Sequence, residues 1–447
     1  MDTPILDFLR GYEIEGMSRF HMPGHKGTGP LGCEAWDLTE IKGADSLYEA
    51  DGIIAQSEAN AARLFGARRT FYSTEGSSQC IKAMLALALE NRPAGTAPVV
   101  LAGRNVHKAF LYAAALLDLE VEWLWSEEKS RSVCSCPITV QGLEKALTAM
   151  EQPPMAVYIT SPDYLGNIAD VSALAQVAHR HGSLLLVDNA HGAYLHFLEK
   201  PCHPLDLGAD LCCDSAHKTL PVLTGGSYLH ISKTAPEGIE DGGRTALSLF
   251  GSTSPSYLIL ASLDACNAWL SGDGPSRIRD AARALDTMNE ELTGRSWTLA
   301  GNEPLKLTIN AAASGWTGHD LGDLLRVGGV ECEYADPDHV VLMASGNTTE
   351  EDFQKVADAL SIAKPKSTGA CSAITIPRGE RVLSIRQAIL GPKETLTVED
   401  ALGRVLAAPS VSCPPAVPIL VCGERITAEA VAAFRYYGHK TCLVVKE

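Results

Sequence analysis

Two short stretches hold residues whose types and order suit one chemistry. Asp214-Ser215-Ala216-His217-Lys218-Thr219 puts a lysine just beyond an apolar segment, behind a serine and a histidine. Upstream, Val187-Asp188-Asn189-Ala190-His191-Gly192 ends an apolar run on an aspartate. An amine that can hold an aldehyde and an anion that can keep a ring nitrogen protonated are what pyridoxal 5'-phosphate (PLP) asks of a protein. Most lysines are solvated and many aspartates end strands, so the pair, not either member, carries the reading.

The elements around the pair must deliver both groups to one place. Arg69–Thr74 reads as a strand, Glu75-Gly76-Ser77-Ser78 as a turn and Gln79–Leu89 as an Ala/Leu-rich helix. Strand, small-residue turn and helix start aim backbone N–H groups at a phosphate, although serine also caps helices with no ligand present. Apolar spacing predicts a helix over 56–66 that stops at Gly66. Strands follow at 98–102, 121–125, 156–160 and 183–187, with helices to Leu117, over 144–150 and over 172–181. This alternation predicts a mainly parallel, three-layer α/β domain. Ligands of such sheets bind beyond the carboxyl ends of the strands, where Ser77, His107, Asp163 and Asp188 fall. No GxGxxG follows the first strand, which disfavours a dinucleotide fold.

Beyond Lys218, a strand at 228–231, a helix opened by Ser252–Tyr257 and reaching about Leu270, and a long helix over 276–293 are expected. Shorter strands at 305–309 and 339–343 suggest a smaller α/β domain, and Lys364–Gly369 reads as a linker. The Ser412–Pro418 stretch reads as a rigid extended connection. The first forty-odd residues read as irregular around His21-Met22-Pro23-Gly24-His25-Lys26-Gly27, where Pro and Gly deny the histidines a helical metal register. That loop is expected to shape a site or a subunit contact, and no metal site is expected.

Composition narrows the class. The 447 residues are 46% hydrophobic and 20% charged, as in an ordinary globular chain long enough for two or three domains. A net charge of -17 argues against a nucleic-acid surface and mildly favours cationic ligands. No secretory start and no bilayer-length apolar run are visible. The 13 cysteines include no CxxC pair and read as reduced thiols of a cytoplasmic protein.

With these residues in hand, the chain resembles the Orn/Lys/Arg decarboxylase family, PLP-dependent enzymes of fold type I, in its shorter form without the N-terminal wing domain. The resemblance covers nearly the whole length. It rests on His21–Gly27, Arg104–Lys108, Ser161–Tyr164, Val187–Gly192, Ser215–Leu220, Thr253–Tyr257 and the segment from Pro414 to Glu424. It implies an N-terminal arm over 1–45, a PLP-binding large domain over 46–292, a small α/β domain over 293–363 and a C-terminal domain over 370–447. It further implies that Lys218 holds PLP as a Schiff base, Asp188 pairs with the ring nitrogen, Ala190 packs on one ring face and His107 stacks on the other. Gly76, Ser77, Ser78 and Ser215 would bind the phosphate, His217 would sit near the reacting carbon, and Thr253 would reach a partner's cofactor across a homodimer interface. Asp163 and Glu424 are candidates for substrate contact, and His191 is expected to buttress its loop. Three positions depart from the family pattern: Asn189 stands where Glu is usual, Asp163 where Thr is usual, and Ala416 where Gly follows two prolines.

The resemblance implies α-decarboxylation of a basic amino acid, arginine first, with lysine or ornithine as alternatives. After CO2 leaves, Lys218 or His217 would return a proton to Cα. The rival expectations are another fold-type-I reaction, such as aminotransfer or elimination, and a silent homologue acting as a binding partner. No arginine of the small domain can be assigned to a substrate carboxylate, and the intact Lys218/Asp188 pair argues against silence.

Overall fold

The computed structural model describes residues 1–126, 132–366, 374, 376–409 and 414–447. They form two compact units, one of Met1–Ala94 with Leu184–Arg279, the other of Gly95–Ser183 with Asp280–Glu447. In chain order the strands are β1 (Arg69–Ser73), β2 (Val99–Gly103), β3 (Glu120–Leu124), β4 (Ala156–Thr160), β5 (Leu184–Asp188), β6 (Leu211–Asp214) and β7 (Ser227–Ile231). There follow β8 (Leu299–Ala300), β9 (Lys306–Asn310), β10 (Tyr334–Ala335), β11 (His339–Met343), β12 (Lys393–Thr397) and β13 (Thr441–Val445).

The first unit orders its strands β1-β7-β6-β5. β5 and β6 run parallel with Asp188 opposite Cys213, and both are almost wholly buried, which is why they read as unbroken apolar runs. β7 is antiparallel to β6 and to β1, so β1, β5 and β6 point the same way. The link from β6 to β7 holds only the four-residue helix Ala216–Thr219, too little for a crossover, and the chain returns antiparallel. The expectation of a mainly parallel layer therefore stands, in a mixed form. Helix Ser77–Glu90 buries Ile81, Met84, Leu85 and Leu87, in keeping with its apolar composition.

The N-terminal reading is corrected: Pro4–Glu15 is a helix, not irregular chain. Pro at the first turn and buried Ile5 and Leu9 favour it. Its start is satisfied from far away, by Asp264 Oδ2 accepting the N–H groups of Ile5 and Leu6 at 2.9 and 3.0 Å. Asp264 is fixed in turn by Ser57, whose hydroxyl donates to its other oxygen. In the His21–Gly27 loop, Gly27 N–H donates to His25 Nδ1, which leaves Nε2–H facing Asp37.

In the second unit β4, β2 and β3 are parallel neighbours in that order. β10-β11-β9-β8 form an antiparallel sheet. Helices Gly318–Val327 and Glu350–Ala363 pack on it through Leu321, Leu325 and Leu360 against Leu307, Ile309 and Val340. β12 and β13 pair antiparallel beside helix Ala428–Tyr436, with Leu406, Leu420, Phe434 and Val444 buried together. Residues 367–369 of the expected linker, and Ser412 and Cys413 of the expected extended connection, lie outside the described residues. Ala416, which replaces a glycine of the family pattern, holds φ +59°, a left-handed conformation that glycine adopts more easily.

Candidate active site

In the first unit the expected residues gather at one edge, because β1, β5 and β6 all end there. The phosphate candidates come first. Gly76, at φ +73°, turns the chain from β1 into helix Ser77–Glu90, whose start has no side-chain cap. Gln79 N–H turns back to Gly76 O at 3.1 Å, and the N–H groups of Ser77 and Ser78 are left for another acceptor. Ser215, just past β6, donates its hydroxyl to Ser77 Oγ at 2.8 Å. Gly76 N–H donates to Gly225 O at 2.8 Å, and Gly225 sits so close that a Cβ would lie 2.7 Å from Thr74 O. Two hydroxyls and a glycine-walled, uncapped helix start fit a phosphate. Glu75 Oε1 accepts Ser252 N–H at 2.5 Å, tying the loop that carries exposed Thr253 to the turn beside Ser77.

Asp188 ends β5 with its side chain buried, and its Oδ1 accepts Ala190 N–H at 3.2 Å and faces the Cys213 thiol at 3.8 Å. Burial, with Asp188 beside it, holds that thiol protonated, well above the ordinary cysteine range. Lys218 sits on the short helix after β6, its Nζ 3.0 Å from His191 Nε2. His217, beside it, directs both its backbone N–H and its Nδ1–H to Gly226 O, at 3.2 and 3.0 Å. The histidine that meets Lys218 in a hydrogen bond is thus one that sequence reasoning had given only a buttressing role. Gly192 was the available signal: a Cβ there would lie 2.1 Å from Asn189 Oδ1, so only glycine lets the loop fold back tightly behind His191.

Beneath this edge lies a polar cluster that sequence reasoning missed. Asp214 Oδ2 accepts from His203 Nε2 at 3.0 Å and His230 Nε2 at 3.2 Å, while Oδ1 accepts from Asn189 Nδ2 at 2.7 Å. All four residues are buried. Burial alone would raise the Asp214 carboxyl, but the two imidazoles more than offset it and hold it well below the carboxylate range. Burial also keeps His230 neutral, against the pull of Asp214. Leu205 N–H donates to His203 Nδ1, so that ring carries its proton on Nε2, toward the carboxylate rather than presenting a lone pair to a metal. Asn189 now has a physical reason: an amide donor suits the neighbouring anion, which a glutamate would repel.

Three other candidates belong to the second unit. His107 caps helix Lys108–Leu117, its Nδ1 accepting Ala109 N–H at 3.1 Å. Asp163 Oδ1 accepts the N–H groups of Leu165 and Asn167, and its Oδ2 accepts Asn167 Nδ2 at 2.8 Å, so its carboxylate shapes the turn after β4. Burial raises its pKa. Glu424 is buried and likewise raised by burial, opposed by the Arg104 guanidinium. It lines a cavity of about 530 Å³ with Trp123, Trp125 and Arg378.

Comparison with known proteins gives two family matches, "Orn/Lys/Arg decarboxylase, major domain" over residues 3–308 and "Orn/Lys/Arg decarboxylase, C-terminal domain" over 381–441. An arginine decarboxylase of Halalkalibacterium halodurans is 30% identical over 97% of this chain and 93% of its own. One of Bacillus subtilis is 30% identical over 96% and 92%. Among solved structures, lysine decarboxylase A from Pseudomonas aeruginosa superposes with a TM-score of 0.80 at 18% identity, over 99% of this chain and 80% of that one, a likeness of fold.

Proposed function

The chain belongs to the Orn/Lys/Arg decarboxylase family, PLP-dependent carboxy-lyases acting on basic amino acids, and from that premise we propose that its substrate is arginine, converted to agmatine and CO2. The choice of arginine is supported by the arginine decarboxylases that match over nearly the full length of both chains.

The observation that carries the site reading is the meeting of three features at one edge: the cradle at Gly76-Ser77 with Ser215, the buried acid Asp188, and Lys218. In this reading Lys218 holds the cofactor, Gly76, Ser77, Ser78 and Ser215 hold its phosphate, and Asp188 holds the proton on its ring nitrogen. Ala190 and His107 would bound the ring faces. Bound there, PLP supplies the electron sink for the pair left when CO2 departs. Asp188 acts from a buried position, where a charge interacts more strongly than in water. Lys218 or His217 returns the proton to Cα, and Asp163 and Glu424 remain the proposed substrate contacts. Exposed Thr253 is offered to a second copy, so the proposed assembly is a homodimer or a higher homo-oligomer, which sedimentation would distinguish from a monomer. The proposed location is the cytoplasm, in keeping with the free thiols among the described residues; no helix there is long and apolar enough to cross a membrane.

The test is CO2 release from arginine, lysine and ornithine in turn, with Lys218→Ala as control. Arginine should be turned over fastest and Lys218→Ala should be silent. A PLP-loaded chain that prefers lysine or ornithine refutes the substrate assignment.

A further inference from the structure

A lysine that must capture an aldehyde has first to lose a proton, because the ammonium form has no lone pair to offer. Lys218 Nζ lies 3.0 Å from His191 Nε2, within hydrogen-bond reach. His191 itself is buried, on a loop held by two short contacts: Gly192 N–H to Asn189 O at 2.8 Å, and Asn189 Nδ2 to Asp214 at 2.7 Å. That loop leaves β5 and the lysine's helix leaves the neighbouring β6, so the contact joins two anchored strand ends. His217, the other histidine near the lysine, aims its Nδ1–H at Gly226 O and holds the turn.

We infer that His191 is a catalytic residue, the base that takes the proton from the Lys218 ammonium when the lysine captures its cofactor. The inference rests on the reading of Lys218 as the PLP lysine. The proton passes from Nζ to Nε2, leaving a neutral amine and an imidazolium. The freed lone pair attacks the aldehyde carbon, the carbon–nitrogen bond forms as the carbon–oxygen double bond opens, and the oxygen leaves as water. His191 returns its proton to that departing oxygen, and the amine nitrogen's other protons balance the rest. No oxidant or reductant enters.

The titratable groups around this pair fix the background. Asp188 closes β5, and Cys213 on β6 is kept protonated by burial. Asp214 stays ionised behind the lysine turn with His203 and His230 on it, and His217 shares the lysine's helix. A neutral imidazole can accept a proton and an imidazolium cannot, and an amine that is already neutral needs no help. The benefit of His191 is therefore confined to the pH range in which its imidazole is neutral and the Lys218 amine is still charged.

The experiment uses the full chain freed of PLP, mixed with PLP at pH values from 5.5 to about 10.5, following growth of the Schiff-base absorbance band by stopped flow. His191→Phe should slow capture by about 10²-fold near pH 8 and by much less at either end of the range. His191→Ala should be slowed likewise and recover on adding free imidazole, which a packing role would not do. Capture unchanged at every pH, or a loss uniform across pH without imidazole rescue, overturns the inference. If His191→Phe does not fold, the His191→Ala series with imidazole decides alone. A wild-type chain that never develops a band requiring Lys218 removes the PLP-lysine reading, and this inference with it; a wild type that captures normally beside an equally fast variant removes this inference only.

Discussion

Replacing Asp214 by Asn tests whether the buried cluster beneath Lys218 holds the site together. The carboxylate accepts from three buried donors, at 2.7, 3.0 and 3.2 Å, and an asparagine can accept at only one of its two terminal atoms. Its amide nitrogen would either meet the imidazole N–H groups of His203 and His230 or force the Asn189 amide to turn over, and either way the charge that holds all three donors is gone. Breaking a buried charged network by removing one partner costs about 3–5 kcal/mol, against a total stability of roughly 5–15 kcal/mol. The pH dependence supplies a second reading. The Asp214 carboxyl is depressed in the folded chain, so its contribution is present above the unfolded value of about 3.9 and is lost as pH falls through the folded value. His230 is likewise depressed, and as a base it adds a loss that begins below its unfolded value of about 6.5. Wild-type stability should therefore fall on acidification in two stages, and Asp214→Asn should lose the lower one. Urea unfolding at pH 7, 5 and 3, followed by tryptophan fluorescence and circular dichroism together, measures both. A penalty below about 1 kcal/mol at pH 7, or an unchanged acid limb, would refute the reasoning.

Three further outcomes follow from distances already given. Asn189→Asp would bring a second carboxylate against Asp214 in a buried place, and should cost at least about 2 kcal/mol at pH 7, with part regained near pH 4, by thermal denaturation. Gly225→Ala combines φ +101° with a Cβ 2.7 Å from Thr74 O; it should weaken PLP binding at least about tenfold in equilibrium titration, and unchanged affinity would sink the cradle argument. In the second unit the side chains of Lys306 and Glu303 are fully buried 2.6 Å apart. Lys306→Met alone should cost about 3–5 kcal/mol, and the Lys306→Met, Glu303→Leu pair should recover most of it in urea melts.

How much the residues announced depends on whether their partners are local. β5 ending on Asp188 was legible as a strand, and β6 before Lys218 as an apolar segment, because both are buried on two faces and close on a polar residue. The turn at Gly76 was legible for a similar reason, since strand, glycine, serine and helix follow one another directly. Helix Pro4–Glu15 was missed because the acceptor for its first N–H groups is Asp264, 259 positions away from Ile5. The Asp214 cluster was missed because His203, His230 and Asn189 come from three different segments, and no spacing rule joins them. His191 was visible as a residue and Gly192 signalled a tight loop behind it, but the glycine does not say which partner the imidazole meets, Lys218 lying 27 positions away.

The dependence of the first helix on Asp264 has a consequence for synthesis. On a ribosome adding about 5–20 residues per second, roughly 13–50 s separate the emergence of Ile5 from that of the carboxylate that receives its N–H. Throughout that interval helix Pro4–Glu15 has no native acceptor for its opening amides and must wait, open to proteases and chaperones alike. That helix is therefore among the last parts of its unit to be finished.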